Sequence, residues 1–228
     1  CRVPLNEQFQ INLQDYPLDN GGGIFANPNA PTSLALGRDE IERFLQRNRD
    51  SVVVVDEAYV DFGAQTCVPL IKSYPNLIVT QTLSKSRSLA GLRVGFAMAS
   101  SELIEGLERL KNSFNSYPLD KVAQAGACAA IKDTPSFDMA CATTIRIRDQ
   151  AAINLRALDF EVLDSAANFL FARPRFMAAG DLYAELKAMG VLLRYFDAPR
   201  ISEHLRISVG TEAEMQVLMD RIASIKAR

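Results

Sequence analysis

Residues 51–59 read Ser-Val-Val-Val-Val-Asp-Glu-Ala-Tyr. Four valines in a row are stiff, β-branched and apolar, and a continuous run of this kind fits a strand buried on both faces of a parallel sheet. The acids fall where that strand ends. A solvated strand terminus accounts for them in the ordinary way. Yet an Asp at this point can also face the crevice beyond the C-terminal edge of an open α/β sheet, where ligands bind.

The neighbouring segments repeat the pattern. Before the valines, Gly21 to Gly23 punctuate the chain, Ile24-Phe25-Ala26 reads as a short strand, and Asn27-Pro28-Asn29-Ala30-Pro31-Thr32 reads as a turn. Asp39 to Asn48 carries Ile41, Phe44 and Leu45 at helical spacing. After the valines come strands at Leu77–Val79 and Val94–Ala99, then a helix at Glu102–Lys111 with Leu103, Leu107 and Leu110 on one side. Strands alternating with helices predict an α/β fold with a mostly parallel sheet and helices on both faces. A second region starts near Pro135. It is predicted to hold a long helix at Phe137–Leu158 carrying Arg146, Arg148 and Arg156, strands at Asn168–Ala172, Val191–Arg194 and Leu205–Val209, and helices at Asp181–Met189 and Glu212–Lys226. That is a smaller α+β domain, so the chain is expected to divide into residues 1–134 and 135–228.

Composition narrows the function. Lys plus Arg number 25 against 27 Asp plus Glu, a net charge of -2, which gives no electrostatic reason to expect a nucleic acid or an anionic membrane as partner. A small anionic substrate needs only a few local arginines. The cysteines, Cys1, Cys67, Cys128 and Cys141, form no C-x-x-C pair, and His204 is the single histidine. No metal site is expected; reduced, mostly buried thiols in a cytoplasmic protein are. No stretch is apolar enough to span a bilayer, and no signal peptide is read. The opening Cys1-Arg2-Val3-Pro4-Leu5 lacks an initiator Met and reads as a strand entered from a longer polypeptide; a processed N-terminus is the alternative.

Four features bear on chemistry. The Asn-Pro turn at residues 27–32 follows a predicted strand, and Asp56 with Tyr59 follows the valine strand. A carboxylate there can pair with a protonated ring nitrogen and keep an electron sink charged. The third feature is Thr82-Leu83-Ser84-Lys85-Ser86-Arg87-Ser88-Leu89-Ala90-Gly91-Leu92-Arg93-Val94-Gly95. A single lysine after a strand is usually a surface residue; this one lies among small and hydroxyl residues that let a ligand approach the backbone, with Ser84 and Arg93 able to grip a phosphate. The fourth is Leu205-Arg206-Ile207-Ser208-Val209-Gly210-Thr211, where Arg206 reads either as an edge-strand solubility device or as a carboxylate clamp.

The run T-L-S-K-x-x-x-L-A-G-L-R-x-G resembles the lysine signature of fold-type I aminotransferases dependent on pyridoxal 5'-phosphate, in the form found in the histidinol-phosphate aminotransferase family. The resemblance covers essentially the whole chain and lacks the family's N-terminal third. It implies that Lys85 carries the cofactor as a Schiff base and shuttles the proton of transamination. By the same likeness Asp56 holds the pyridine nitrogen, Tyr59 meets the phenolic oxygen, and Ser84 and Arg93 bind the phosphate. Arg206 takes the substrate carboxylate, Arg194 the distal substrate phosphate, and Asn168 lies near the carboxylate site. Two departures stand out. Ala30 replaces the asparagine usual before the second proline, so either Asn29 takes its role or Tyr59 acts alone; Ser33 replaces the usual glycine. The implied reaction moves an amino group between an amino-acid-like phosphate, histidinol phosphate foremost, and 2-oxoglutarate, yielding glutamate. Phosphothreonine decarboxylases share the lysine motif and give a lyase alternative; a non-catalytic family member is a third. The polar, turn-prone segment Phe114–Leu119 carries two aromatics and a Leu that lie either under the second domain or against another subunit, and the resemblance favours a homodimer with Tyr117, counted with the substrate-binding residues, near the cofactor of its own or the partner subunit.

Overall fold

In the computed structural model, which describes residues 1–228, the valine run becomes the second strand of a four-stranded sheet. Its strands are β1 (Gly22–Ala26), β2 (Val52–Asp56), β3 (Leu77–Thr82) and β4 (Gly95–Ala99), neighbours in that order. The first three are parallel, with Ala26, Asp56 and Thr80 aligned across them, whereas β4 runs antiparallel with Thr82 opposite Gly95. Helix α1 (Arg38–Arg47) follows β1, and its N-terminus is closed by the Glu40 carboxylate accepting the Gly37 N–H at 3.2 Å. Its Ile41, Phe44 and Leu45 pack on Val53, Val55, Leu77 and Val79.

Burial of β2 alternates rather than running through all four valines. Val53 and Val55 face α1 and are fully buried, while Val52 and Val54 are half-buried and Ile24 beside them is 71% exposed. β-Branching signalled the strand correctly; what covers each face is decided elsewhere in the fold. Helix α2 (Ser101–Phe114) forms where its leucines predicted, yet buries none of its residues, because its only substantial neighbour is β4.

Helices α3 (Lys121–Lys132) and α4 (Thr134–Ala157) lead to a second sheet, β5 (Phe160–Val162), β6 (Phe169–Pro174), β7 (Arg194–Tyr195) and β8 (Leu205–Ser208), ordered β5-β6-β8-β7 and antiparallel throughout. Helices α4, α5 (Ala179–Ala188) and α6 (Glu212–Lys226) cover one face with Leu155, Leu182, Leu186, Leu218 and Ile222. Thr211 and Glu214 close the start of α6 as a reciprocal capping box, the Thr211 N–H donating at 2.7 Å and the Glu214 N–H at 3.3 Å. Strand β6 alternates: Leu170 and Ala172 join that helical core, so Phe169 and Phe171 point to the other face. No helix is long and apolar enough to cross a membrane.

Three expectations are corrected, and one strand was not foreseen. Cys1–Leu5 is not a strand; Pro4 cannot donate to a ladder, and the Arg200 guanidinium instead holds the Leu5 and Asn6 carbonyls at 2.8 and 2.5 Å. The strand predicted at Val191–Arg194 begins only at Arg194, because the Val191 N–H turns back to the Leu186 carbonyl at 2.9 Å after Gly190 enters the left-handed region at φ 82°. The short β5 carried too little pattern to be read from sequence. Cys67 and Cys141 are buried, but Cys1 and Cys128 are exposed, so the thiols are not mostly buried.

Candidate active site

The C-terminal ends of the three parallel strands share one edge of the large sheet, and the predicted site residues gather there. Asn29 lies three residues beyond β1, Asp56 ends β2, Tyr59 follows it by three, and Lys85 lies three residues beyond β3. The antiparallel β4 begins at the same edge. The Leu83 N–H donates to the Val94 carbonyl at 3.1 Å, so Ser84 and Arg93 lie on the two sides of the β3–β4 connection just beyond it. The Ser84 hydroxyl accepts from the Thr82 hydroxyl at 2.9 Å, and the Arg93 guanidinium donates to the Ala90 carbonyl at 3.0 Å.

Lys85 is half-buried, and its Nζ lies 5.3 Å from the centroid of the Tyr59 ring. No carboxylate pairs with it. The backbone on its C-terminal side is anchored: the Ser86 hydroxyl donates to Asp61 at 2.5 Å, and the Arg87 guanidinium donates to the Ala130 carbonyl at 2.6 Å while stacking 3.6 Å over Phe137. One Asp56 oxygen accepts the Ala58 N–H at 3.0 Å, and its other oxygen has no partner in the chain. The Asn29 amide donates to the Thr32 hydroxyl at 2.8 Å, so it is engaged within its own turn. Ser33 stands at φ 64°, in the left-handed region that glycine enters without cost. This is the conformational reason a glycine suits that position.

The small sheet completes the cluster. Tyr59 meets Phe169 edge to face at 5.1 Å, and the Arg206 guanidinium carbon lies 4.3 Å above the Phe169 ring. β8 is central, between β6 and β7, so Arg206 is not an edge-strand solubility device. Its Nε is buried without a hydrogen-bond partner. Arg194 sits directly across the ladder from Arg206, on the same face, with its guanidinium 5.1 Å over Phe196. Two like charges directly opposite destabilise a sheet unless an anion lies between them, and neither arginine has a carboxylate partner in the chain. Asn168 precedes β6 and holds the chain by its carbonyl, which accepts the Val209 N–H at 3.0 Å. Tyr117 is not brought to the cluster; it is 92% exposed, and Phe114 beside it is exposed as well, so this segment does not lie under the second domain.

Several positioning residues escaped the sequence reading. Glu57, grouped there with Asp56 as a solvated strand end, is fully buried and accepts from the Thr66 hydroxyl at 2.7 Å, the Cys67 N–H at 2.5 Å and the Gln81 amide at 2.9 Å. Burial, and then the Glu57 carboxylate, pushes the Cys67 thiol up to about 12. Buried Asn27 clasps the Leu36 backbone, its Oδ1 accepting the Leu36 N–H at 2.7 Å. Buried Arg148 spans the two sheets, donating to the Phe62 carbonyl at 2.7 Å and the Ala167 carbonyl at 3.1 Å. Phe169 was read only as part of the strand predicted at Asn168–Ala172. Only its alternation within β6 could have marked the face it occupies. The larger concavities, about 600 Å³ beside Tyr16 and Gly22 and about 540 Å³ beside Phe9 and His204, are not lined by Lys85. Convergent chemistry, not volume, marks the site.

Known proteins share this fold. The sequence profile of the family "Aminotransferase class I and II" matches residues 6–222. A histidinol-phosphate aminotransferase 1 of Pseudomonas fluorescens (strain Pf-5) is 56% identical over 224 residues, covering 98% of this chain and 64% of the relative. The chain therefore spans a little under two-thirds of the length of that curated relative. A crystal structure of a putative histidinol-phosphate aminotransferase from Erwinia carotovora atroseptica superposes with a TM-score of 0.88 at 24% identity, over 99% of this chain and 67% of that one. A histidinol-phosphate aminotransferase from Sinorhizobium meliloti, solved in complex with pyridoxal-5'-phosphate, gives a TM-score of 0.79 at 22% identity, over 91% and 58% of the two chains. At those identities the superpositions establish a shared fold, and with the profile match across nearly its whole length, this chain belongs to the aminotransferase class I and II family.

Proposed function

We propose that this chain forms the lysine-bearing part of a pyridoxal-phosphate aminotransferase that exchanges an amino group between histidinol phosphate, or a similar amino-acid-like phosphate, and 2-oxoglutarate. The observation that carries this reading is the row Lys85, Tyr59, Phe169, Arg206, which joins an unpaired amine to an unpaired guanidinium across the two sheets. The residues fit the cofactor by their own chemistry: Arg206 Nε is buried and orphaned, and neither Lys85 nor Asp56 is neutralised by a partner in the chain. Bound there, the cofactor supplies an electron sink for the substrate α-carbon.

Each residue then has a task. Lys85 holds the cofactor covalently through Nζ and, once released, moves the proton at the α-carbon. Asp56 pairs with the pyridine nitrogen and keeps it protonated, while the Tyr59 hydroxyl, free within the chain, donates to the phenolic oxygen. Ser84 and Arg93, on the two sides of the β3–β4 connection, grip the cofactor phosphate. Asn29, with its amide engaged to Thr32, supports the turn beside the ring. Arg206 binds the α-carboxylate of 2-oxoglutarate or glutamate bidentately, Arg194 the phosphate of the phosphorylated substrate, and Asn168 braces the carboxylate site. The 56% identity to a protein named histidinol-phosphate aminotransferase supports the phosphorylated donor over other amines.

Further proposals follow from the same reading. The division between a cofactor-binding domain, 1–134, and a small domain, 135–228, is supported by separate cores on the two sheets and by α4 starting at Thr134. Four free cysteines suit the reducing cytoplasm. Exposed Phe114 and Tyr117 suit burial by a second copy, giving a homodimer; a single-chain molar mass by light scattering would refute it. The central test is borohydride reduction of the full-length protein with pyridoxal phosphate, followed by peptide mapping. The label is expected on the peptide bearing Lys85; a label elsewhere overturns the proposed function.

A further inference from the structure

Arg206 is held in place without using its hydrogen-bond donors. It enters no ion pair, and its buried Nε has no acceptor. What touches its guanidinium is the face of Phe169, 4.3 Å away. Phe169 is 0% exposed, and the register explains the contact: Phe171 pairs with Arg206, so Phe169, two residues along β6, is its diagonal neighbour on the same face. The same ring meets Tyr59 at 5.1 Å and an interplanar angle of 85°, and Lys85 Nζ lies over that tyrosine.

An arginine oriented by carboxylates or carbonyls spends its N–H groups on them. One oriented on an aromatic face keeps its planar fork for a ligand. We propose that Phe169 is a positioning residue for substrate binding: its ring sets the Arg206 fork by a cation–π contact and, through its contact with Tyr59, fixes that fork relative to Lys85 across the two sheets. This rests on the aminotransferase reading above. The consequence is specific. The α-carboxylate is carried by 2-oxoglutarate and by glutamate but not by histidinol phosphate, so loss of the ring face weakens 2-oxoglutarate and glutamate by the same factor.

Phe171 provides an internal control. It is equally buried on the same face of the same strand, but its ring stacks on His204 at 4.5 Å and meets Phe9 at 5.8 Å. Truncating either phenylalanine costs core packing, whereas only Phe169 faces the guanidinium.

The test uses the full-length holoenzyme. KM and kcat are measured for 2-oxoglutarate and, in the reverse direction, for glutamate, with calorimetric binding of 2-oxoglutarate as a readout independent of turnover. Phe169→Leu is expected to raise both KM values by roughly tenfold, the size of a desolvated cation–π contact, with kcat changing less. Phe169→Tyr keeps the ring face and should stay within about twofold of the parent, and Phe171→Leu should lower thermal stability comparably without raising KM. In an Arg206→Ala background, Phe169→Leu should add less than about twofold, because the two residues act through one contact. Should Phe169→Leu fail to fold, Phe169→Met takes its place in every comparison. Unchanged KM values, a rise confined to one substrate, or an effect that persists undiminished without Arg206 overturns the inference. A parent protein that neither binds 2-oxoglutarate nor transaminates overturns the proposed function instead.

Discussion

Glu57 and Asp56 are adjacent acids with opposite expected phenotypes, and the difference follows from their partners. Glu57 is buried, and its carboxylate accepts from Thr66, Cys67 and Gln81. Hydrogen bonds to a charged group contribute roughly 1.5–3 kcal/mol each, though three on one carboxylate do not add. In Glu57→Ala, half-buried Thr66 and Gln81 can turn to water. The N–H of fully buried Cys67 cannot, so it keeps its desolvation cost. The expected loss is about 3–4 kcal/mol of unfolding free energy, near that of stripping one partner from a buried ionic group. Glu57→Gln retains one acceptor oxygen for Cys67 and should lose only about 1–2 kcal/mol. Asp56→Ala removes a carboxylate that accepts a single backbone N–H, so its stability should change by less than about 1 kcal/mol. Its turnover should instead fall by orders of magnitude, since the charge on the electron sink is lost. Urea denaturation of the full-length variants, paired with initial rates, measures both quantities. A loss below about 1 kcal/mol for Glu57→Ala would refute the reasoning, as would near-normal turnover in Asp56→Ala.

Two further outcomes are expected. Arg194→Ala should lower kcat/KM for a phosphorylated donor by the equivalent of roughly 2–5 kcal/mol while leaving an unphosphorylated analogue nearly unaffected; equal losses for both would assign Arg194 a structural role only. His204 has its pKa lowered by burial and then by the Arg173 charge. The native state therefore binds the proton less readily than the unfolded chain, so stability is complete above the unfolded value of about 6.5 and declines as pH falls through the lower folded one. His204→Phe keeps the stack on Phe171 and should flatten that acid decline in urea-midpoint measurements; an unchanged slope would exclude His204 as its source.

The proposed site residues were legible in the sequence where they are local to a strand end. Lys85, Asp56 and Tyr59 could be named because each directly follows a β-branched or apolar run, and parallel strands bring such ends to one edge. Ser84 and Arg93 were named for their residue types, and the antiparallel return of β4 is what brings them to the two sides of one connection. Glu57 was misread because a strand's last residues carry no mark of whether a later loop folds over them. Here residues 66 and 67 do so, and turn an apparent surface acid into a buried anchor.

By itself the sequence determined the longer strands and helices and the lysine signature, because backbone stiffness and period are settled within a few neighbouring residues. Only the tertiary structure decided which side of each strand is covered, that Arg206 lies on a central rather than an edge strand, and that Phe169 joins it to Tyr59. Those are contacts between residues more than 35 positions apart, set by how two sheets pack. Their identity depends on register and burial across the whole molecule, which no local pattern encodes.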